Sequence, residues 1–405
     1  MRVLLYGMNY APEMTGVGRY SGELCAYLAK HGAAVEVVTT PPHYPGWKVR
    51  PPHRRFEFRT ETRDGIRVTR CPMAMRTDMR GGWRLLAPLS FAILSAPVAL
   101  WRIVRMRPST VLVVEPTLLV APVALLGARL VGARTVLHVQ DLEIDAAFAM
   151  GHLKGGWLQR FAVFCECRLL RAFDKVVTIS SAMASHIRGK GVLSDRLSVI
   201  RNWVDTAKIM PLNGRNSYRD ELRLADDTFI ALYSGNIGAK QALHLVLEAA
   251  EQLADEPGIV FVVAGEGPEK ARLEARYGHL RNVRFLPLQP EERLCELLNF
   301  ADLHLLPQER NAANLVLPSK LGGMLASGRN ILAAADPGTE LHKFLSGTGI
   351  LVPSGDSARM AEAIRTRAAA GRCTPKTAHP QVSLLDADAN LAAFTALLSA
   401  GQATS

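Results

Sequence analysis

Almost from end to end, this chain alternates short apolar or β-branched runs with longer segments of helical period. A parallel sheet with crossover helices requires this alternation, because its strands are buried on both faces and each connection must return to the same edge. Runs 2–6, 34–39, 110–114, 134–139 and 175–179 read as strands of one sheet, with helices at 17–30, 84–106, 118–131, 156–173 and 181–190. The segment 41–65 breaks the rhythm with Pro, His and aromatic residues and reads as a long surface loop, of the sort that often carries function. A short antiparallel pair, 56–62 and 66–70, should turn at Asp64-Gly65.

The rhythm resumes after "IRNWVDTAKIMPLNGRN" (200–216), rich in turn formers and poor in helical period. A second sheet follows at 229–234, 259–264, 283–286, 302–306, 330–334 and 349–351, with helices at 241–254, 268–277, 291–300, 319–327 and 356–370. A chain of 405 residues can bury two cores of ordinary size. The expected organisation is one domain over 1–201, a linker over 202–216, a second domain over 217–380, and a C-terminal helix and tail over 381–405. The apolar-periodic segment 384–399 is compatible with packing on either domain.

The net charge of +11 is unevenly placed. Through Ile200 there are 27 Lys and Arg against 14 Asp and Glu, a net of +13, and the remainder carries −2. An anionic partner for the first half follows, either nucleic acid or an acidic membrane. Nucleic acid is disfavoured, because the basic residues are interleaved with long apolar runs and no nucleic-acid module is recognisable. The uncharged stretch 85–101 contains Pro88 and Pro97 and is bracketed by Arg80, Arg84, Arg102, Arg105 and Arg107. Its 17 residues leave three readings open: a buried helix, a helix lying in the lipid interface, or a span at the lower limit of length. The six scattered cysteines fit neither a zinc spacing nor a disulfide framework, and "MRVLLYGMNYAP" reads as a buried strand rather than a signal peptide. A cytoplasmic protein held peripherally on the inner face of the membrane is expected.

Candidate binding residues fall where strands end. In "PEMTGVGRY" (12–20), Gly16 and Gly18 open a helix and allow backbone amides to approach a phosphate. "YSGNIGAKQ" (233–241) sets Gly235, Asn236 and Gly238 between a strand and a helix, with Lys240 at the helix start. Gly265 ends another strand in the turn "AGEG", and a polar loop after 306 runs into Pro318-Ser319-Lys320, a helix start bearing a hydroxyl and a cation. Each also has a plain reading as an ordinary turn or a solvated lysine. In the first half, "LHVQDLEID" (137–145) supplies His138, Gln140, Asp141, Glu143 and Asp145 at a strand end. Asp141 is the first choice for activating or orienting an acceptor, with helix capping as its rival. His138, flanked by apolar strand residues, fits a core histidine as well as an acceptor contact. His43 and Tyr44, in the long loop, are further acceptor candidates.

Taken together, the tGvGry loop (15–20), "IRNWVDT" (200–206), the G-x-x-x-K and GEG turns and "LASGRNI" (325–331) resemble the retaining glycosyltransferases of family 4. Within the family, "GNIGAKQ", "QDL" and "LPSKLGGMLASG" are similar to the colanic-acid-type fucosyltransferase group and its amino-sugar-transferring relatives. The resemblance implies the GT-B fold, α/β with two Rossmann-like doubly wound parallel-sheet domains facing a cleft, 1–201 binding the acceptor and 217–380 the nucleotide sugar. It implies transfer of a hexose or deoxyhexose, with retention and no fixed metal, from a nucleotide diphosphate sugar of GDP-fucose or UDP-sugar type. The acceptor would be an oligosaccharide on polyprenyl pyrophosphate, in exopolysaccharide synthesis, and no cofactor beyond the donor is needed. Three positions depart from the family: Leu315 and Gly323 stand where many members carry a Glu-x7-Glu pair, and Asn236 stands where an arginine is usual. Asn314, Ser319 and Lys320 are the substitutes, with Lys320 neutralising phosphate. The missing glutamates leave room for a noncatalytic sugar-nucleotide-binding subunit, and the fold for a UDP-sugar 2-epimerase.

Overall fold

The computed structural model describes residues 1–13, 16–44, 46–49, 51–76, 83–141, 156–310, 317–372, 375 and 377–400, less the side chains of Arg84 and Leu158. The chain divides into two units, Met1–Arg201 with Ala389–Ser405, and Asn202–Asp388.

The first unit runs β1 (Arg2–Gly7), α1 (Val17–Lys30), β2 (Ala34–Thr39), β3 (Arg59–Arg63), β4 (Ile66–Arg70), α2 (Trp83–Met106), β5 (Thr110–Glu115), α3 (Ala121–Val131), β6 (Arg134–Val139), α4 (Trp157–Ala172), β7 (Lys175–Thr178), α5 (Ser181–Gly189) and β8 (Leu197–Val199). Its sheet has the order β3-β4-β2-β1-β5-β6-β7-β8, parallel except for the β3-β4 hairpin. Asp64 and Gly65 both take positive φ, the two-residue turn expected there. The chain winds outward from β1 in both directions, which opens a crevice at the carboxyl ends of β1 and β5. The crossovers through α2, α3 and α4 all run in one direction across the sheet, so right-handed connection sets these helices on one face.

Helix α2 is long and apolar enough to cross a membrane, yet its Ala87, Phe91, Ala99 and Ile103 are buried and it carries the chain from β4 to β5 of one sheet. Tyr6 of β1 hydrogen-bonds Ser95 at 2.6 Å and stacks edge-on against Phe91. A span cannot make these contacts, so the helix is a crossover with one buried face. Arg102 is also corrected: it is buried, reaching Glu36 at 3.4 Å and Thr60 at 3.1 Å, because a guanidinium drawn inside must be paired. It is therefore no surface cation.

The second unit runs α6 (Ser217–Glu221), β9 (Phe229–Ser234), α7 (Leu243–Gln252), β10 (Ile259–Ala264), α8 (Lys270–Tyr277), β11 (Val283–Leu286), α9 (Leu294–Phe300), β12 (Leu303–Leu306), α10 (Leu321–Ala326), β13 (Asn330–Ala334), α11 (Glu340–Leu345), β14 (Ile350–Val352) and α12 (Ser357–Ala369). Its all-parallel sheet has the order β11-β10-β9-β12-β13-β14. Strands β9 and β10 are buried throughout, as their unbroken apolar runs require. Residues expected to link the domains are pinned here: Val204 N–H donates to Leu385 at 2.8 Å, and Val204 and Ile209 join the core beside α10.

Helix α13 (Ala387–Ser399) belongs with the first unit. Thr110 Oγ1 and Arg134 Nη1 donate to the carbonyls of Leu398 and Leu397 at 3.3 and 2.9 Å, satisfying groups at its C-terminus. Phe394 is fully buried against His138.

Candidate functional site

In the second unit the chain winds both ways from β9, so the crevice of the sheet lies at the carboxyl ends of β9 and β12. Residues 235–241 leave β9 there. The carbonyl of Lys240 accepts from Glu309 N–H at 3.0 Å, fastening this turn to the segment after β12. Lys320, just before α10, folds back onto the same turn: a Cβ built on Gly235 would lie 3.7 Å from its Cδ and 3.9 Å from its Nζ. The Lys320 ammonium sits 3.8 Å from the centre of the Tyr233 ring, and it is buried without a hydrogen-bond partner among the described residues. Burial pushes its pKa down to about 7. An aromatic face offsets only part of the cost of desolvating an ammonium, so the site is built to receive an anion.

The neighbouring glycines turn out to be packing devices. A Cβ on Gly265 would lie 1.9 Å from the Gly235 carbonyl oxygen, and one on Gly267 would lie 2.2 Å from that of Ile237. The GEG turn thus forms the floor of the 235–241 turn, joined to it by Gly235 N–H to Ala264 at 2.9 Å and Ile237 N–H to Glu266 at 2.9 Å. The Gly238 amide is taken by Gln241 Oε1 at 3.1 Å. Two expectations shift accordingly. Lys240 lies exposed in a single 3-10 turn, Ala239–Gln241, rather than at a helix start, and Ser319 is exposed outside α10. Gly323 faces Leu298, whose Cδ1 would meet a Cβ at 2.9 Å, so a side chain at that position requires this leucine to move. Asn236 is exposed on the turn, and Asn314 and Leu315 lie outside the described residues.

In the first unit the loop after β1 is organised by a residue that the motifs did not single out. Glu13 is buried, and its Oε1 accepts from the backbone N–H groups of His43 and Tyr44, both at 3.1 Å. Its Oε2 accepts from Asn9 Nδ2 at 2.9 Å. Gly18 makes room for this carboxylate, since a Cβ there would lie 2.5 Å from Oε2. His43 Nδ1 faces three oxygens: the Pro41 carbonyl and Thr40 Oγ1, each at 3.1 Å, and Glu13 Oε1 at 3.4 Å. Burial lowers the His43 pKa against the opposing pull of Glu13, so the ring is neutral. With Nδ1 assigned the proton by these acceptors, Nε2 carries the lone pair, and it has no partner among the described residues.

Tyr44 completes this group. Its Cε1 would lie 3.6 Å from a Cβ on Gly16, and its hydroxyl pKa is raised by burial, then by the charges of Glu13 and Asp141. The structure therefore gathers Gly16, Gly18, Glu13, His43, Tyr44 and Asp141. His138 stays apart: its ring packs on Phe394 at 4.9 Å, and burial drives its pKa to about 3, a core histidine rather than an acceptor contact. Gln140 is buried beside Asp141. Glu143 and Asp145 lie outside the described residues, as does the segment that would show whether Asp141 caps a helix. Glu13 was legible only as an acid amid glycines and apolar residues.

Two Rossmann-like parallel-sheet units, with a buried cation at the crevice of the second, are the architecture of the GT-B enzymes. The family description "Glycosyl transferase 4-like domain" matches residues 15–203, and "Glycosyl transferases group 1" matches residues 214–368. The chain is 42% identical over 349 residues, 84% of its own length and 85% of the relative's, to the putative colanic acid biosynthesis glycosyl transferase WcaI of Escherichia coli (strain K12). This chain belongs to glycosyltransferase family 4. Among solved structures, sucrose-phosphate synthase from Thermosynechococcus elongatus shares the fold with a TM-score of 0.76 at 17% identity, with all of both chains covered. HepE of Anabaena in complex with UDP and glucose does so with a TM-score of 0.66 at 15% identity, covering 98% of this chain and 99% of that one.

Proposed function

We propose that this glycosyltransferase moves a hexose or deoxyhexose from a nucleotide diphosphate sugar, of GDP-fucose or UDP-sugar type, to a polyprenyl-pyrophosphate-linked oligosaccharide. The reaction proceeds with retention, at the inner face of the membrane, in synthesis of a cell-envelope exopolysaccharide. The observation that carries this reading is the Lys320 ammonium, buried without a counter-charge among the described residues at the crevice of the second sheet. A leaving diphosphate supplies that counter-charge, and the charge it gains as the glycosidic bond breaks strengthens the contact where catalysis needs it. Exposed Lys240 adds a second cation from the facing turn, with Asn236, Ser319 and Asn314 completing the donor set; no fixed metal is invoked. On the acceptor side, His43 Nε2 accepts a hydrogen bond from the incoming hydroxyl, and Asp141, beside Tyr44, orients it or takes its proton. Two relatives support the reading: WcaI is named for colanic acid synthesis, and HepE has been solved with UDP.

A thermal-shift screen of GDP-, UDP- and dTDP-sugars tests the donor half. One base class should raise the melting point, because a ligand that binds only the native fold stabilises it. Lys320→Ala should erase the rise, and a wild-type protein indifferent to all three would contradict the assignment.

A further inference from the structure

Helix α4 carries an aromatic stripe on the side away from the core. Trp157, Phe161 and Phe164, at four- and three-residue spacing, point outward and are 78%, 57% and 60% exposed. Its inward face buries Leu170 together with Glu166, which pairs with Lys190 at 2.6 Å. Arg160 and Arg168 share the outward face with the aromatic rings, while Arg171 donates to the Lys190 carbonyl at 2.9 and 2.8 Å. An amphipathic helix turns its apolar stripe to the core, so the outward stripe of three aromatic rings serves no packing inside the unit.

The neighbouring helices do the same with their outer surfaces. On α2, Leu89, Ile93, Pro97 and Trp101 are exposed at successive turns, with the Arg105 guanidinium 5.6 Å from the Trp101 ring centre. On α3, Leu126 and Leu130 are exposed, with Arg129 between them. Helices α2 and α3 pack together, as do α3 and α4, and all three lie on one face of the sheet. Three adjacent helices thus present one apolar layer studded with tryptophan, phenylalanine and arginine. A patch of this extent marks a surface that is covered in use.

We propose that the outer face of α2, α3 and α4 is the surface with which this protein docks flat on an anionic lipid bilayer. Trp157, Phe161 and Phe164 enter the headgroup boundary, and the arginines meet lipid phosphate. The identity of the occupant follows from charge: the half of the chain carrying this face has a net of +13, and tryptophan with arginine on one helix face is the composition of an interfacial helix. This assignment rests on the reading that the enzyme works at a membrane, and it places the contact on three helices rather than on segment 85–101 alone.

The test is sedimentation of the full chain with vesicles of phosphatidylcholine alone, or mixed in equal parts with phosphatidylglycerol. Wild type should sediment with the mixed vesicles and be released by high salt. Phe161→Asp with Phe164→Asp should weaken that binding by ~10-fold or more. Phe56→Asp, an equally exposed aromatic outside these helices, should leave it unchanged. Quenching of tryptophan fluorescence by brominated lipid, reduced in Trp157→Phe and abolished when Trp101→Phe is added, places the face at the boundary. Three outcomes would overturn the proposal: equal binding of wild type and the double variant, equal binding to neutral and mixed vesicles, or a lipid-free dimer that the double variant dissolves, which would make the face a protein interface. No sugar donor or acceptor is present, so failure here leaves the transfer reaction and its own assay standing.

Discussion

Two buried residues shape the candidate sites, and each reports itself through protons or hydrogen bonds. Lys320 is charged in the unfolded chain up to about pH 10.5 but loses its proton near 7 when folded. Between those values unfolding takes up a proton, so the penalty of burying the charge fades and stability rises with pH by up to ~1.4 kcal/mol per unit. Below pH 7 both states are protonated and the whole penalty stands. Lys320→Met should therefore raise the melting point of the ligand-free protein at pH 6 and flatten its rise towards pH 10. Parallel melting curves for the two proteins across that range would show that the ammonium is not buried. Bound diphosphate should draw the proton back, so calorimetry above pH 7 should detect proton uptake on nucleotide binding that Lys320→Met lacks. Glu13 is the second case. Glu13→Gln replaces an oxygen facing Asn9 Nδ2 or the two backbone donors with an amide, and should cost ~1–3 kcal/mol in urea denaturation. Gly18→Ala presses on the same carboxylate, so the two changes should combine non-additively. Simple additivity would separate Gly18 from Glu13.

At the scale of elements, the turn after β9 depends on the turn after β10. Gly265→Ala sets a Cβ against the Gly235 carbonyl at 1.9 Å, with backbone rather than a flexible side chain in the way. We expect destabilisation of the second unit by ~2 kcal/mol or more, and weakened nucleotide binding although both lysines remain. Unchanged affinity would show that the turns are independent. Strand and helix positions were mostly legible because buried parallel strands are unbroken apolar runs, and α1 and β9 lie where their periods place them. The short β8, α6 and α11 were not, since three to six residues carry too little period to stand out. Helix α4 shows the deeper limit. Its period is plain in the sequence, but period reveals that a stripe exists and not whether it meets a core or something outside. Likewise the glycines of the candidate site announced close approach, while only the structure shows that Gly18 and Gly265 are approached by the protein itself.

At the scale of the molecule, two units divide the task, with the last helix of the chain built into the first. Phe394 is fully buried against His138, so Phe394→Ala should cost ~3–5 kcal/mol in the first unit while nucleotide binding by the second persists. Hydrogen exchange would show the loss confined to residues before 202 and to α13; loss throughout would mean that the units unfold as one. Asp141→Asn should leave donor binding intact and lower transfer by ~100-fold or more if this carboxylate handles the acceptor proton. The measurement that tests the central claim most directly follows radiolabelled sugar from the nucleotide sugar that stabilises the fold into a polyprenyl-pyrophosphate-linked acceptor fraction. The expected result is label in the lipid phase, matched by release of nucleoside diphosphate and abolished in Lys320→Ala. A wild-type protein that binds the donor yet releases no diphosphate, with lipid-linked acceptor supplied, would contradict the account.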